Sequence, residues 1–295
     1  MNTDMKLALG TVQFGCDYGV SNAQGQVSSQ EVNNILSLAA EVGITTLDTA
    51  SVYGNSEQAL GQSQLASQFN IVSKIPSLKN ADGQDKIKQF IEKSLTQLKI
   101  TQLDAVLFHQ VGDLINSPLA QTRIDTLIQQ KKSGYIKKIG VSVYTPTQLE
   151  YCLNNFNIDI VQLPLNALDQ RFIATGLLEK LAAQGIEVHC RSVFLQGLLL
   201  MDIKELAPYF LPYLAPLKKF AQMTKKLTIS PLVLSLVIAC QQKHINKIVI
   251  GCCNVQQLQE IIDAYRIAQT ITDDLTSLAY DDEQLLLPYN WQLGD

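Results

Sequence analysis

No apolar stretch in the sequence is long enough to cross a bilayer. The longest, over 231–240, falls well short of the ~20 residues that a spanning helix needs. Residues 1–6 lead straight into the apolar run 7–12 with no basic segment and no small-residue cleavage site, so a secretory signal peptide is not expected. The six cysteines (Cys16, Cys152, Cys190, Cys240, Cys252, Cys253) show no CxxC spacing, and most lie in apolar runs. Reduced, buried thiols in a cytoplasmic protein fit that pattern, and a metal site does not. Adjacent cysteines such as Cys252 and Cys253 rarely bridge without strain. Basic residues are not in excess either: 23 Lys and Arg stand against 27 Asp and Glu, a net charge of −4. This argues against nucleic acid or an anionic membrane as a partner. Low-complexity linkers are missing, as is an early G-x-G-x-x-G phosphate-binding fingerprint.

What remains is a chain of 295 residues, 46% hydrophobic, enough for one large core with no disulfide or metal staple. Short β-branched runs alternate with helical stripes along its whole length. Strands are expected over 7–14, 45–48, 71–74, 105–109, 138–144, 158–165, 187–195 and 245–252. Helix starts are marked by the capping-box pattern Ser28-Ser29-Gln30-Glu31, by Thr145-Pro146-Thr147-Gln148, by Ser230 and by Asn254. Two helical segments, 214–227 and 231–243, separate the last two strands. The tail from 272 is less periodic and holds the sole tryptophan, Trp291. Eight strands alternating with helices in an unbroken chain point to an α/β fold. The expectation is a single (β/α)8 TIM barrel over 1–295 with extra helices after strand 7 and at the C-terminus.

In such a barrel the carboxyl ends of the strands share one face, where active sites sit. Three successive strands end on an ionisable residue: Asp48, Lys74 and His109, with Tyr53 five residues beyond Asp48. Singly, each is ordinary, an Asp at a turn or a His in a core. Together they suit one reaction. A tyrosine releases its proton reluctantly, a neighbouring ammonium stabilises the phenolate, and an aspartate holds that lysine charged. A histidine beside them orients a carbonyl, so the set can protonate an alkoxide formed by hydride delivery. No side chain supplies hydride, so a nicotinamide is required.

These residues carry a resemblance to the aldo-keto reductase superfamily over nearly the whole chain. Asp48, Tyr53, Lys74 and His109 match its tetrad in order, spacing and strand context. The resemblance implies that Tyr53 is the general acid, Lys74 and Asp48 its activators, and His109 the group that orients the carbonyl. It implies NADP(H) or NAD(H) as cofactor. Ser142, in Gly140-Val141-Ser142, and Gln162 resemble the pair that binds the nicotinamide amide. Arg191, Val193, Phe194, Gln196 and Gly197 resemble the pyrophosphate-side loop after strand 7. Gly251, Asn254, Gln257 and Glu260 resemble the adenosine-phosphate segment after strand 8, and Thr11 joins the cofactor set.

The chain departs from the family pattern in several places. Arg191 stands where the family usually stacks an aromatic ring on the nicotinamide, and Ile261 replaces an amide that commonly contacts adenine. No Lys or Arg occurs over 250–262, where NADPH-preferring relatives often carry one. No hairpin precedes the first strand.

The expected substrate is a small polar aldehyde, ketone or keto-sugar. The variable stretches 17–26, 201–216 and 272–295 carry no readable specificity code. A second function class is a nicotinamide-binding regulatory subunit that senses redox state, as some relatives do beside ion channels. An unrelated barrel enzyme using Lys74 as a Schiff base leaves Tyr53 and the cofactor-like segments without a role. His189 and His244 read as structural, and Lys218, Lys219, Lys225 and Lys226 as a solvated helix face. By position alone, Tyr18 and Cys16 belong near the substrate pocket.

Overall fold

The computed structural model describes residues 5–22, 24–115 and 117–293. Eight strands close into a parallel barrel in sequence order: Leu7–Gly10 (β1), Thr46–Asp48 (β2), Asn70–Ile75 (β3), Leu103–Phe108 (β4), Ile136–Ser142 (β5), Ile160–Pro164 (β6), Glu187–Arg191 (β7) and Lys247–Gly251 (β8). β1 pairs with both β2 and β8, so no strand edge is left open. Inside, Val72, Ala105, Leu107 and Ile160 form a fully buried apolar layer from β3, β4 and β6. This fits a barrel filled by side chains rather than a pore. Near its amino-terminal end, β5 is pinned to β7 by Lys138 to Glu187 (2.6 Å), and Glu187 also meets His189 on its own strand (2.7 Å). His189 is thus part of the barrel's structural fabric.

The helix starts follow local chemistry. Ser28, Thr145, Ser230 and Asn254 each accept a hydrogen bond from the backbone N–H three residues on. The capping box at Ser28 is only half made: one Glu31 carboxylate oxygen accepts from Asn34 on its own helix (2.9 Å), and the other does not return to the Ser28 backbone N–H. It instead accepts from the backbone N–H of Val255 (2.6 Å), at the start of another helix. The extra helix Leu214–Leu227 lies between β7 and β8 as expected, with Lys218, Lys219, Lys225 and Lys226 exposed. The helix Pro231–Gln241 is buried on nearly all sides. No single helix among the described residues is long and apolar enough to cross a membrane. Pro208–Leu227 and Pro231–Gln241 reach that length and composition only as a pair bent by 91°.

Several expected elements, β6 and β8 among them, are shorter than their apolar runs, and in three places the chain shows why. β1 stops at Gly10, since Val12–Gly15 winds into one helical turn instead of extending to residue 14. β7 stops at Arg191, because Ser192 adopts φ +62° and cannot continue a pleat. The helix after Ser230 ends at Gln241, where Gln242 turns extended. In the tail, Trp291 donates to the Leu285 carbonyl (3.0 Å) and meets Phe210 edge-on at 4.9 Å. The C-terminal segment is thereby tied to the insert after β7.

Candidate active site

At the carboxyl end of the barrel, β2 delivers Asp48, β3 delivers Lys74 and the residue after β4 is His109. The His109 N–H still bonds the Ile75 carbonyl (3.2 Å), so its position is set by the sheet ladder. Tyr53 reaches the same face from the loop after β2. That loop is held by close backbone contact with the turn after β1. A Cβ on Gly15 would lie 1.7 Å from the Tyr53 carbonyl oxygen, and one on Gly54 (φ +54°) would lie 2.1 Å from the Gly15 carbonyl oxygen. Only glycine fits at both places. A hydroxyl cluster braces the same region: Ser56 donates to Thr11, Thr11 donates to the Asp48 carbonyl, and Thr49 contacts Ser56 (3.2 Å).

The Lys74 ammonium has three acceptors for its three protons: Asp48 Oδ1 at 2.5 Å, the Thr49 carbonyl at 3.1 Å and the Tyr53 hydroxyl at 3.5 Å. The other Asp48 oxygen accepts from Gln162 Nε2 at 2.6 Å. One continuous chain therefore runs Gln162, Asp48, Lys74, Tyr53. Lys74 and Asp48 are buried, and a buried pair lacking one member would leave an uncompensated charge. His109 stands edge-on to the Tyr53 ring, with centroids 5.6 Å apart.

Burial sets the protonation states. It raises the Tyr53 phenol above its usual range; the Asp48 carboxylate adds to this and the Arg191 guanidinium opposes it. Burial also lowers the Lys74 ammonium, against the pull of Asp48. His109 is pushed down to about 3 by burial and by the cations Lys74 and Arg191, so it is neutral at pH 7.

A cavity of about 610 Å³ opens from this centre. That size is in the range of small-molecule and cofactor sites. Its wall includes Thr11, Asp48, Tyr53, His109, Gln162, Arg191, Val193, Phe194, Gln196, Gly197, Gly251, Gln257 and Glu260, all singled out from sequence. Lys74, Ser142 and Asn254 are absent from the wall. Lys74 stands behind Tyr53 and Asp48, Ser142 is buried at the end of β5, and Asn254 caps the helix Val255–Ala268.

Tyr18 lines the cavity as its position implied, but Cys16 does not. The loop after β1 also contributes Gly19, Ser21, Asn22 and Gln24. It crosses to the far walls: Val20 N–H donates to the Gln196 carbonyl (3.0 Å), and Asn254 Nδ2 donates to Gln24 (3.1 Å). Gln13 and Tyr144 line the cavity too. Neither belongs to a motif, so nothing local in the sequence marks them. Arg191 is held by Tyr144, its guanidinium 4.3 Å over the ring, and it donates to the Val143 carbonyl (3.1 Å) and to Ser192 (3.2 Å).

The cavity wall carries buried polar groups that suit a nicotinamide cofactor. Gln162 Oε1 and Gln13 Oε1 are buried acceptors without a hydrogen-bond partner. Such groups are costly unless a donor arrives, and both residues face the cavity. The Gln162 amide is held in one orientation because its Nε2 is committed to Asp48. An outward-facing acceptor of this kind fits the N–H of a carboxamide. Among the described residues no cluster of metal-ligating side chains occurs.

Comparison with known proteins agrees with this geometry. The family model described as Aldo/keto reductase family matches residues 6–279. An uncharacterised oxidoreductase, YqkF of Bacillus subtilis, is 24% identical over 281 residues, covering 85% of this chain and 87% of that one. Methylglyoxal reductase DkgA of Yersinia pestis is 29% identical over 153 residues, 50% of this chain and 53% of the relative. Among solved structures, an aldo-keto reductase from Bacillus halodurans in its holo form superposes with a TM-score of 0.73 at 19% identity, covering 93% and 92% of the two chains. With a family model spanning nearly its whole length and a closed eight-stranded parallel barrel, this chain belongs to the aldo/keto reductase family.

Proposed function

We propose that this protein reduces a small aldehyde or ketone to an alcohol, using NADH or NADPH, with Tyr53 as the general acid. The observation that carries the reading is the chain Gln162, Asp48, Lys74, Tyr53, which ends on a phenol in the cavity wall beside a neutral histidine. The nicotinamide, when bound, supplies the hydride. A neutral His109 donates a ring N–H to the carbonyl oxygen and aligns it with Tyr53. As negative charge grows on that oxygen, Tyr53 transfers its hydroxyl proton to it. A phenol whose pKa is raised by burial keeps its proton until so strong a base forms. The resulting phenolate is met by the Lys74 ammonium, which Asp48 and the Thr49 carbonyl hold in place. Gln162 fixes Asp48 through one end of its amide and offers its free oxygen to the carboxamide of the cofactor. The loops after β7 and β8 would complete cofactor binding, with phosphates at the strand ends where barrels commonly hold them. That one relative is a methylglyoxal reductase supports a small carbonyl substrate.

Titration with both reduced cofactors, followed by a turnover panel of aldehydes, ketones and keto-sugars, tests the reading. Tyr53→Phe should keep cofactor affinity near the wild-type value and lower turnover by about 10²-fold or more. Wild-type rates in that variant, with chemistry rate-limiting, would show that the proton comes from elsewhere. Tight cofactor binding with no turnover of any carbonyl would instead favour a nicotinamide-binding regulatory subunit.

A further inference from the structure

Arg191 is the one residue on the described cavity wall that brings a full positive charge, and no acidic side chain answers it. Its partners are a ring face, a backbone carbonyl and a serine hydroxyl, all neutral. The fold's other inward-facing arginines are fully answered: Arg171 pairs with Asp169, 2.8 Å away, and Arg123, which has no carboxylate partner, makes four bonds, to the Lys79, Asp82 and Asp113 carbonyls and to Ser117. The two acids on the cavity wall are Asp48 and Glu260. Asp48 is committed to Lys74 and Gln162, and Glu260 is an exposed residue of the helix after β8. Asp48 and Lys74 cancel and His109 is neutral, so the catalytic end of the cavity carries an excess of one positive charge from Arg191. A guanidinium has five N–H donors, and two of its bonds are made here. Stacking on Tyr144 and the bond to the Val143 carbonyl hold the fork in place before any ligand arrives.

We propose that Arg191 is a specificity-determining residue that selects carbonyl substrates bearing an oxyanion, a carboxylate or a phosphate ester, a few bonds from the reacting carbon. This rests on the reductase reading above and adds the substrate class to it. The planar fork matches a carboxylate with two parallel bonds, and it accepts phosphate in the same way. Arg191, Tyr53 and His109 line the same cavity. A substrate anion at the guanidinium is therefore close enough to the reacting centre to orient the carbonyl.

The test uses matched pairs: 4-formylbenzoate against its methyl ester, succinic semialdehyde against butanal, and glyceraldehyde 3-phosphate against glyceraldehyde. In the wild type the anionic member should have the higher kcat/KM by about 10- to 100-fold, mostly through KM, as a charge-assisted bond provides. The advantage should shrink as salt is added. Arg191→Gln should bring the ratio within a pair to about one, and Arg191→Lys should restore part of it. The first two pairs together against the third separate carboxylate from phosphate. Cofactor dissociation constants for each variant, read from the fluorescence of the reduced nicotinamide, give an independent readout. Equal kcat/KM within every wild-type pair overturns the proposal, and so does an Arg191→Gln protein that loses cofactor affinity yet keeps its charge ratio. If the cofactor binds and neither member of any pair turns over, the reductase reading itself fails. Turnover without charge preference sinks the role of Arg191 alone.

Discussion

At the scale of single residues, the site works through commitments that leave each group one role. All three Lys74 protons are used, so its contribution to Tyr53 cannot be separated from its bond to Asp48. Lys74→Met should lower turnover about as far as Tyr53→Phe does, and the double variant should lose little more, because the two act as a unit. Losses that multiply fully in steady-state kinetics would show independent roles. His109 gives a second prediction. Its folded pKa of about 3 lies below the ordinary 6.5, so protonation opposes folding. The stability owed to neutral His109 is complete above about pH 6.5 and is lost as pH falls from there toward 3. His109→Gln should therefore flatten the acid side of a Tm-against-pH curve. The wild-type kcat/KM profile should show no ionisation near pH 6.5, and a step there would mean that the histidine titrates freely.

At the scale of elements, on the proposed reading, the start of the helix Val255–Ala268 is what the adenosine phosphate of a cofactor would meet. A helix N-terminus attracts phosphate through free N–H groups and its dipole. Here the Val255 N–H is taken by the Glu31 carboxylate, the Gln257 N–H by Asn254 and the Cys253 N–H by the Gln257 side chain. Internal groups, one of them an anion from the helix Ser29–Glu41, already use three of the N–H donors that a 2′-phosphate would seek. With no Lys or Arg over 250–262, the expected preference for NADPH over NADH is under about tenfold. Dissociation constants for both cofactors at one salt concentration measure it. A preference above about a hundredfold would require a cation from outside this segment, and Glu31→Gln should shift whatever preference exists toward NADPH.

At the scale of the whole molecule, barrel closure makes the site a property of the entire chain. β1 pairs with β8 across more than two hundred residues, and the loop after β1 bonds the segments after β7 and β8. A ligand in the cavity thus touches elements from both ends of the sequence. Binding to the folded state alone stabilises by about 2.7 kcal/mol at a ligand concentration a hundred times the Kd. NADH or NADPH at that excess should raise Tm in scanning calorimetry as one transition, in keeping with a single domain. An unchanged Tm with both would remove the cofactor from the account.

The sequence by itself determined the alternation, the barrel and the tetrad, because each rests on local chemistry. β-branched runs, capping serines and an ionisable residue at a strand end are all readable in a few neighbouring positions. Tertiary structure decided the rest. Where β1 and β7 stop depends on backbone turns at Val12 and Ser192 that an apolar run does not reveal. The Glu31 side chain, read locally as half of a capping box, caps a helix more than two hundred residues away. Gly15 and Gly54 look like ordinary loop glycines until two loops meet with no room for a Cβ. Arg191 reads from sequence as a substitute for an aromatic ring. Only the folded cavity shows it stacked on Tyr144 and left without a counter-ion, because charge balance in a pocket depends on which distant residues share its walls.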